Sequence, residues 1–347
     1  MPQNPKILVI RRRYLGDVVL LGSLLRNLRL HWEGAHITVL VERPYAGILA
    51  LNPDVNEVLA LPSEPFQWPR FLARLVAGGY SHAFDIDNTE KTALVTRFSR
   101  ATLRVALHHG KHSVKFPSLY THVVYDPAAE HEIRPITEYY LKALAVADVP
   151  VVDRTIRLVP RQEEVAEWKR FVGAQGRTLL VHPGSRSSAR IWPAERFAAV
   201  CDRVQDELGV QVVVAGGPAE RRMVSEIRSL AKTHVLALDE PPTLTQFAAL
   251  ARASSALLCH DSGPMHVAAA VGTPVVALYG SQNPVLFRPH GEGHHQLLPS
   301  LPCSPCVAPQ ACVPGDSYRT YCVRRHTVED VYRAVRETLA LGVGDAG

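Results

Sequence analysis

The sequence is constrained most by an alternation that runs once, stops and starts again. Short apolar runs of strand length alternate with amphipathic stretches, and the Pro-containing segment Val149–Arg161 separates two such series. This pattern predicts an α/β fold, because strands that are apolar throughout are covered by helices on both faces. In the first series Lys6–Arg12 (KILVIRR) reads as a buried strand. Asp17–His31 follows as a helix with Leu20, Leu21, Leu24, Leu25 and Leu28 on one face, and Ala35–Val41 and Ser81–Asp87 read as later strands. Pro135–Ala147 reads as a helix. The second series has strands at Thr178–His182, Val210–Ala215, His234–Leu238, Ala256–Cys259 and Val275–Leu278, a helix opened by Pro193 at its first position, and a helix over Leu244–Ala253. At ~100–200 residues per domain, 347 residues suit two domains. The expected architecture is two Rossmann-like domains, 1–160 and 161–347, with parallel sheets facing across a cleft. Chemistry is then expected in the loops after the strands.

Charge narrows the class of partner. The formal net charge is +5, an excess too mild for a dedicated nucleic-acid binder, and no recognition motif for nucleic acid is present. One stretch departs from the average. Lys91–Tyr125 holds no Asp or Glu but carries Lys91, Arg97, Arg100, Arg104, Lys111 and Lys115 with four histidines. Such a run either meets an anionic partner or is a solvated surface. The apolar run Ile7–Ile10 is followed at once by three arginines, so it does not read as a secretory leader, and no run approaches the ~18–20 apolar residues of a membrane span. A cytosolic protein that touches a membrane only by its surface is expected.

Three motifs carry chemistry. In His260–Ala270 (HDSGPMHVAAA) a strand ends in an Asp-Ser-Gly turn and a helix opens at Pro264. Ser262 and Gly263 can offer amides at a helix N-terminus, where the dipole adds positive charge, and Gly263 lets a phosphate approach closely. His266 falls in the first turn, and Asp261 can hold a sugar hydroxyl or a ribose. The same residues also suit a plain capped helix, with Asp261 or Ser262 as the cap. In the loop after the first strand, Asp17 is a helix cap or a general base. In the third motif, Ser185, Arg186 and Arg190 bring a hydroxyl and two planar donor forks to one loop, as a phosphate-bearing ligand or simple surface exposure would require. Four cysteines, Cys303, Cys306, Cys312 and Cys322, cluster near the end and read as a structural zinc site or a Cys-rich loop.

The segments KILVIRRRYLGD, HPGSRSSARIWP, HDSGPMHVAAAVGTPVVALYG and PCSPC…C…C, in this order, resemble glycosyltransferase family 9, the ADP-heptose:lipopolysaccharide heptosyltransferases. The resemblance spans nearly the whole chain and is closest to heptosyltransferase II-like members, which share Ser23. It implies a GT-B fold, with an acceptor-binding N-terminal domain and an ADP-sugar-binding C-terminal domain whose final helix can pack back on the first. Asp17 matches the family's catalytic base. Ser185, Arg186, Arg190, Asp261, Ser262, Gly263 and His266 match or flank its donor-binding positions. Arg11, Arg13 and Gly16 beside the base, with Arg100 and Arg104 from the acid-free run, are the expected acceptor-binding residues. His260 stands where Asn is frequent in the family. The implied reaction is an inverting transfer of heptose from ADP-heptose, with no required cofactor. The implied acceptor is the anionic lipopolysaccharide core, at the cytosolic surface of the inner membrane, which makes the protein cytoplasmic and peripheral. A GT-B enzyme for another nucleotide sugar or acceptor, and a non-catalytic nucleotide-sugar-binding protein, are the alternative readings.

Overall fold

The computed structural model describes residues 4–110, 113–173, 176–186, 190–301, 303, 304, 306 and 322–341. The chain divides into two compact units, Met1–Val159 and Pro160–Gly347. The first contains β1 (Lys6–Ile10), α1 (Leu15–Leu20), α2 (Gly22–His31), β2 (His36–Glu42), α3 (Ala46–Leu49), β3 (Glu57–Leu61), α4 (Trp68–Ala77) and β4 (His82–Asp85). It continues with α5 (Glu90–Phe98), β5 (Leu103–His109), β6 (His122–Asp126), α6 (Ala128–His131) and α7 (Ile136–Leu141). The second contains α8 (Gln162–Phe171), β7 (Thr178–His182), α9 (Ala194–Leu208), β8 (Gln211–Val214), α10 (Arg221–Leu230), β9 (Leu236–Ala237) and α11 (Leu244–Ala253). After these come β10 (Ala256–His260), α12 (Gly263–Ala270), β11 (Val275–Leu278), β12 (His295–Leu297) and α13 (Val328–Leu341).

Each unit is built on one six-stranded sheet, ordered β3-β2-β1-β4-β5-β6 in the first and β12-β11-β10-β7-β8-β9 in the second. The pairings are parallel throughout. The central strands are buried on both faces, which is why they are written as unbroken apolar runs: Ile7, Leu8, Val9 and Ile10 are all fully buried. Strand order reverses beside β1 and β4 in the first sheet and beside β7 and β10 in the second. A parallel sheet opens a crevice at such a reversal, on the side of the strands' carboxyl ends. The loops after β1, β4, β7 and β10 are therefore the ones the topology marks.

Several elements differ from the sequence reading. The helix expected over Asp17–His31 is α1 and α2, divided at Leu21. At Gly22 a Cβ would lie 2.8 Å from Ile156 Cγ2, so the glycine admits the segment that precedes the unit boundary. Buried Asn27 fixes that segment: its Oδ1 accepts from Val152 N–H at 2.7 Å and Asp153 N–H at 3.1 Å. The strand expected over Ser81–Asp87 stops at Asp85, whose Oδ1 accepts the Asp87 and Asn88 amides at 3.0 Å each and turns the chain. Pro193 precedes the first helical residue instead of occupying it, and α9 ends at Gly209 in the left-handed region, φ +61°. The helix expected over Pro135–Ala147 is α7 followed by a tighter 3₁₀ stretch. For the final helix, Val331, Tyr332, Val335 and Leu339 of α13 lie in the core of the second unit.

Candidate functional site

In the first unit the loop after β1 carries the run Arg11–Arg12–Arg13 and leads into α1, whose third residue is Asp17. Asp17 Oδ2 accepts from Tyr14 N–H at 3.1 Å, the reach of a helix-start carboxylate back to the cap. Its Oδ1 accepts from Arg11 Nη2 at 2.5 Å and from the hydroxyl of fully buried Tyr140 at 3.0 Å. The side chain keeps 15% of its surface exposed. The cap position itself falls to Tyr14, so Asp17 is not the cap but the third helical residue that closes a capping box on the Tyr14 amide, and its carboxylate keeps surface to spare.

The arginines are balanced from the next loop. Asp87, after β4, lies 3.5 Å from Arg11 Nη1 and accepts from Arg12 Nε at 2.5 Å, and Glu42 accepts from Arg12 Nη1 at 3.2 Å. Arg11 Nη1 also donates to Ile86 O at 3.1 Å. Asp87 is aimed by Asp85, which takes the Tyr120 hydroxyl on Oδ2 at 2.6 Å. Burial pushes the Asp85 carboxyl up to about 6, against hydrogen bonds from Tyr120, Thr92 and the turn amides. Arg11 therefore holds Asp17 and the β4 loop, and its terminal nitrogens are already engaged. Arg13 is the exposed cation of the run, its guanidinium carbon 5.1 Å from the Tyr14 ring centroid. Gly16 is half-buried in the first turn of α1.

Arg100 and Arg104 are not brought to this place. The register pairs Arg104 with Ala83 and Ala83 with Leu8, so Arg104 enters β5 near the amino ends of the strands, whereas Asp17 follows their carboxyl ends. Arg104 also donates to Leu119 O at 2.8 Å and Ala101 O at 2.6 Å, and Arg100 is exposed in a left-handed turn, φ +57°. Arg104→Ala should cost about 1–3 kcal/mol in urea-unfolding stability and leave acceptor KM unchanged; a KM rise without a stability loss would return the residue to the acceptor site.

In the second unit the loop after β7 and the turn after β10 meet. Arg190 Nη1 lies 3.9 Å from Asp261 Oδ2. Oriented with its carbonyl toward the guanidinium, the Gln282 amide accepts from Arg190 Nη1 and Nη2 at 3.1 and 3.2 Å. Asp261 is buried, and Oδ2 makes no hydrogen bond among the described residues. Burial pushes its carboxyl up to about 6, while Arg190 and then Arg186 act to keep it ionised. Among the described residues no side chain caps α12: the Ser262 hydroxyl turns back to His260 O at 3.2 Å. The helix start is thus open at its positive end, with Gly263 as first residue and Pro264 behind it. His266 is buried in the first turn, Ser185 is half-buried and Arg186 exposed.

Glu220 is a carboxylate beside the β7 loop that the sequence reading did not single out. A Cβ on Gly184 would lie 2.3 Å from its Cγ, one on Gly216 2.6 Å from its Cβ, and one on Gly217 2.9 Å from its Oε2. Three glycines therefore close over one carboxylate, and the HPG and GGP spellings after β7 and β8 are the signal that could have found it. Of the cysteine set, Cys303 is exposed, Cys306 and Cys322 are half-buried, and Cys312 lies outside the described residues. Among the described residues no three His, Cys, Asp or Glu side chains are placed to hold a metal ion.

Two units, each built on a six-stranded parallel sheet with helices, have the GT-B architecture of solved heptosyltransferase structures. The family model for glycosyltransferase family 9 (heptosyltransferase) matches residues 68–314. Lipopolysaccharide heptosyltransferase 2 of Escherichia coli (strain K12) is 29% identical over 307 residues, covering 82% of this chain and 85% of that protein. Lipopolysaccharide heptosyltransferase 3 of the same strain is 25% identical over 313 residues, covering 83% and 88%. Among solved structures, the family 9 glycosyl transferase of Veillonella parvula superposes with a TM-score of 0.83 at 22% identity, covering 98% and 99%. Escherichia coli ADP-heptose lps heptosyltransferase II gives 0.80 at 24%, covering 98% and 100%. The chain belongs to glycosyltransferase family 9, the heptosyltransferases.

Proposed function

We propose that this glycosyltransferase moves heptose from ADP-heptose to a sugar hydroxyl of the lipopolysaccharide inner core, with inversion, in one displacement. The observation that carries the reading is the hydrogen bonding of Asp17: among the described residues Oδ1 takes two donors and Oδ2 takes Tyr14 N–H alone. A carboxylate oxygen has two acceptor positions, so Oδ2 keeps one for a proton. In the proposed step the acceptor oxygen attacks the anomeric carbon as its proton passes to Oδ2. The bond from that carbon to the β-phosphate oxygen breaks, and ADP leaves with the electron pair. Arg190, the Ser262–Gly263 amides and Arg186 offset the charge gained by the diphosphate, with Ser185 as a further donor. That positive field is what a leaving diphosphate needs, so the reading asks for no cofactor. Asp261 and Glu220 are carboxylates suited to accept from sugar or ribose hydroxyls, and His266 lines the same turn.

In the first unit Arg13 is exposed near Gly16, which supports the proposal that these residues meet an anionic group of the acceptor. Among the described residues no helix is long and apolar enough to cross a membrane. The lipid-linked acceptor is proposed to be met at the cytosolic face of the inner membrane, by a cytoplasmic protein docked at its surface. The test is turnover by the purified chain with ADP-heptose and a panel of truncated core acceptors. ADP should appear only when donor and a competent acceptor are both present. Turnover with a different nucleotide sugar but none with ADP-heptose would sink the donor assignment, and ADP-heptose binding without turnover on any acceptor would favour a binding protein.

A further inference from the structure

The loop bearing Arg186 and Arg190 leaves β7 after His182 and returns to regular structure past Trp192, and both its ends meet one side chain. That side chain is His260, the fully buried last residue of β10. Trp192 N–H donates to His260 Nε2 at 2.8 Å, and His260 Nδ1 lies 3.2 Å from Gly184 O. A ring nitrogen that accepts carries no proton, and one that faces a carbonyl must carry one. The two bonds together fix the neutral, Nδ1–H tautomer. Burial works the same way, holding the imidazole down to about 3. The Gly184 peptide is gripped from its other side too, since its N–H donates to His182 Nδ1 at 3.3 Å. Phe197 packs edge-on against the His260 ring at 5.5 Å and against Trp192 at 5.0 Å.

The next residue along the chain is Asp261, whose Oδ2 lies 3.9 Å from Arg190 Nη1. One dipeptide thus engages the returning arm twice: at the Trp192 backbone through an imidazole, and at the Arg190 guanidinium through a carboxylate. We propose that His260 is a positioning residue for the donor diphosphate: by tying Gly184 to Trp192 it sets where Arg190 stands. The proposal rests on the reading of Arg190 as a diphosphate ligand. His260 itself is fully buried, and its two ring nitrogens are both engaged by the loop.

The test is calorimetry of ADP binding to the full chain, with steady-state kinetics alongside. His260→Gln keeps one donor and one acceptor, and His260→Leu removes both. The leucine variant should raise ADP Kd and donor KM about tenfold or more with acceptor KM unchanged, and the glutamine variant should stay within about threefold of wild type. In an Arg190→Ala background the leucine substitution should have no further effect on ADP affinity, a coupling that a merely structural role would not produce. A folded leucine variant that binds ADP like wild type overturns the positioning role alone. A wild-type chain that does not bind ADP overturns the donor reading and the proposal together. If the leucine variant does not fold, hydrogen exchange on the wild type decides: a Trp192 amide protected like those of β10 supports the tie, and one that exchanges like an open loop overturns it.

Discussion

Asp17→Asn is expected to lower kcat by about 10²–10⁴ while ADP affinity stays within about threefold of wild type. The substitution keeps the size of the side chain and an oxygen for one of its partners. It removes the lone pair that takes the acceptor's proton and the charge that faces Arg11. Asp87 still lies 3.5 Å from Arg11, so the arginine keeps a counter-charge and the β1 loop keeps its anchor. The loss should therefore fall on turnover and not on folding. ADP release at saturating donor and acceptor, beside a thermal melt, separates the two. Turnover within threefold of wild type would leave Asp17 as the third-position partner of the Tyr14 cap and nothing more.

Arg190→Ala is expected to cost about 10²–10³ in kcat, the scale for removing one preorganised donor from a developing negative charge. Donor KM should rise as well, because the guanidinium meets the diphosphate before and after the bond breaks. The variant also has a signature in the absence of substrate. Asp261, raised to about 6 by burial, loses the larger of the two cations that favour its ionised form, so its carboxyl rises further. A buried acid with a raised pKa binds protons more readily folded than unfolded. Its contribution to stability is present at low pH and is lost as pH rises through the folded value. The variant should thus show its maximum thermal stability at a lower pH than wild type. An unchanged optimum would mean that Arg190 does not face Asp261 in solution.

Much of the second unit was legible from the sequence. The bounds of β7, α11 and β11 coincide with the expected Thr178–His182, Leu244–Ala253 and Val275–Leu278. The position of Asp17, Arg190 and Asp261 past the carboxyl ends of strands was legible too, because each follows an obvious apolar run and such ends are where a parallel sheet opens. What could not be read is whatever depends on a distant neighbour. Tyr140 is 123 positions from Asp17, and Asp87 is 75 positions from Arg12. Nothing local in either spelling announces the pairing. Arg100 and Arg104 show the opposite case: a run of positive charge says nothing of strand direction, and the strand within it places Arg104 near the amino ends of the sheet, whereas Asp17 follows the carboxyl ends. The strands β5, β6 and β12 are obscured by their histidines and polar residues, while β3 (EVLAL) is apolar after Glu57 but was not singled out either.

Both sheets have the strand that is first in sequence near their middle: β1 and β7 are flanked on each side by strands made later. Vectorial synthesis therefore builds each sheet outward from its oldest strand, and until the flanking strands arrive that strand has no partner. The earlier unit has its complete strand set at β6, before any strand of the later unit exists. It can close around its own core while the ribosome is still at work, so nascent chains stopped near the unit boundary should already resist protease.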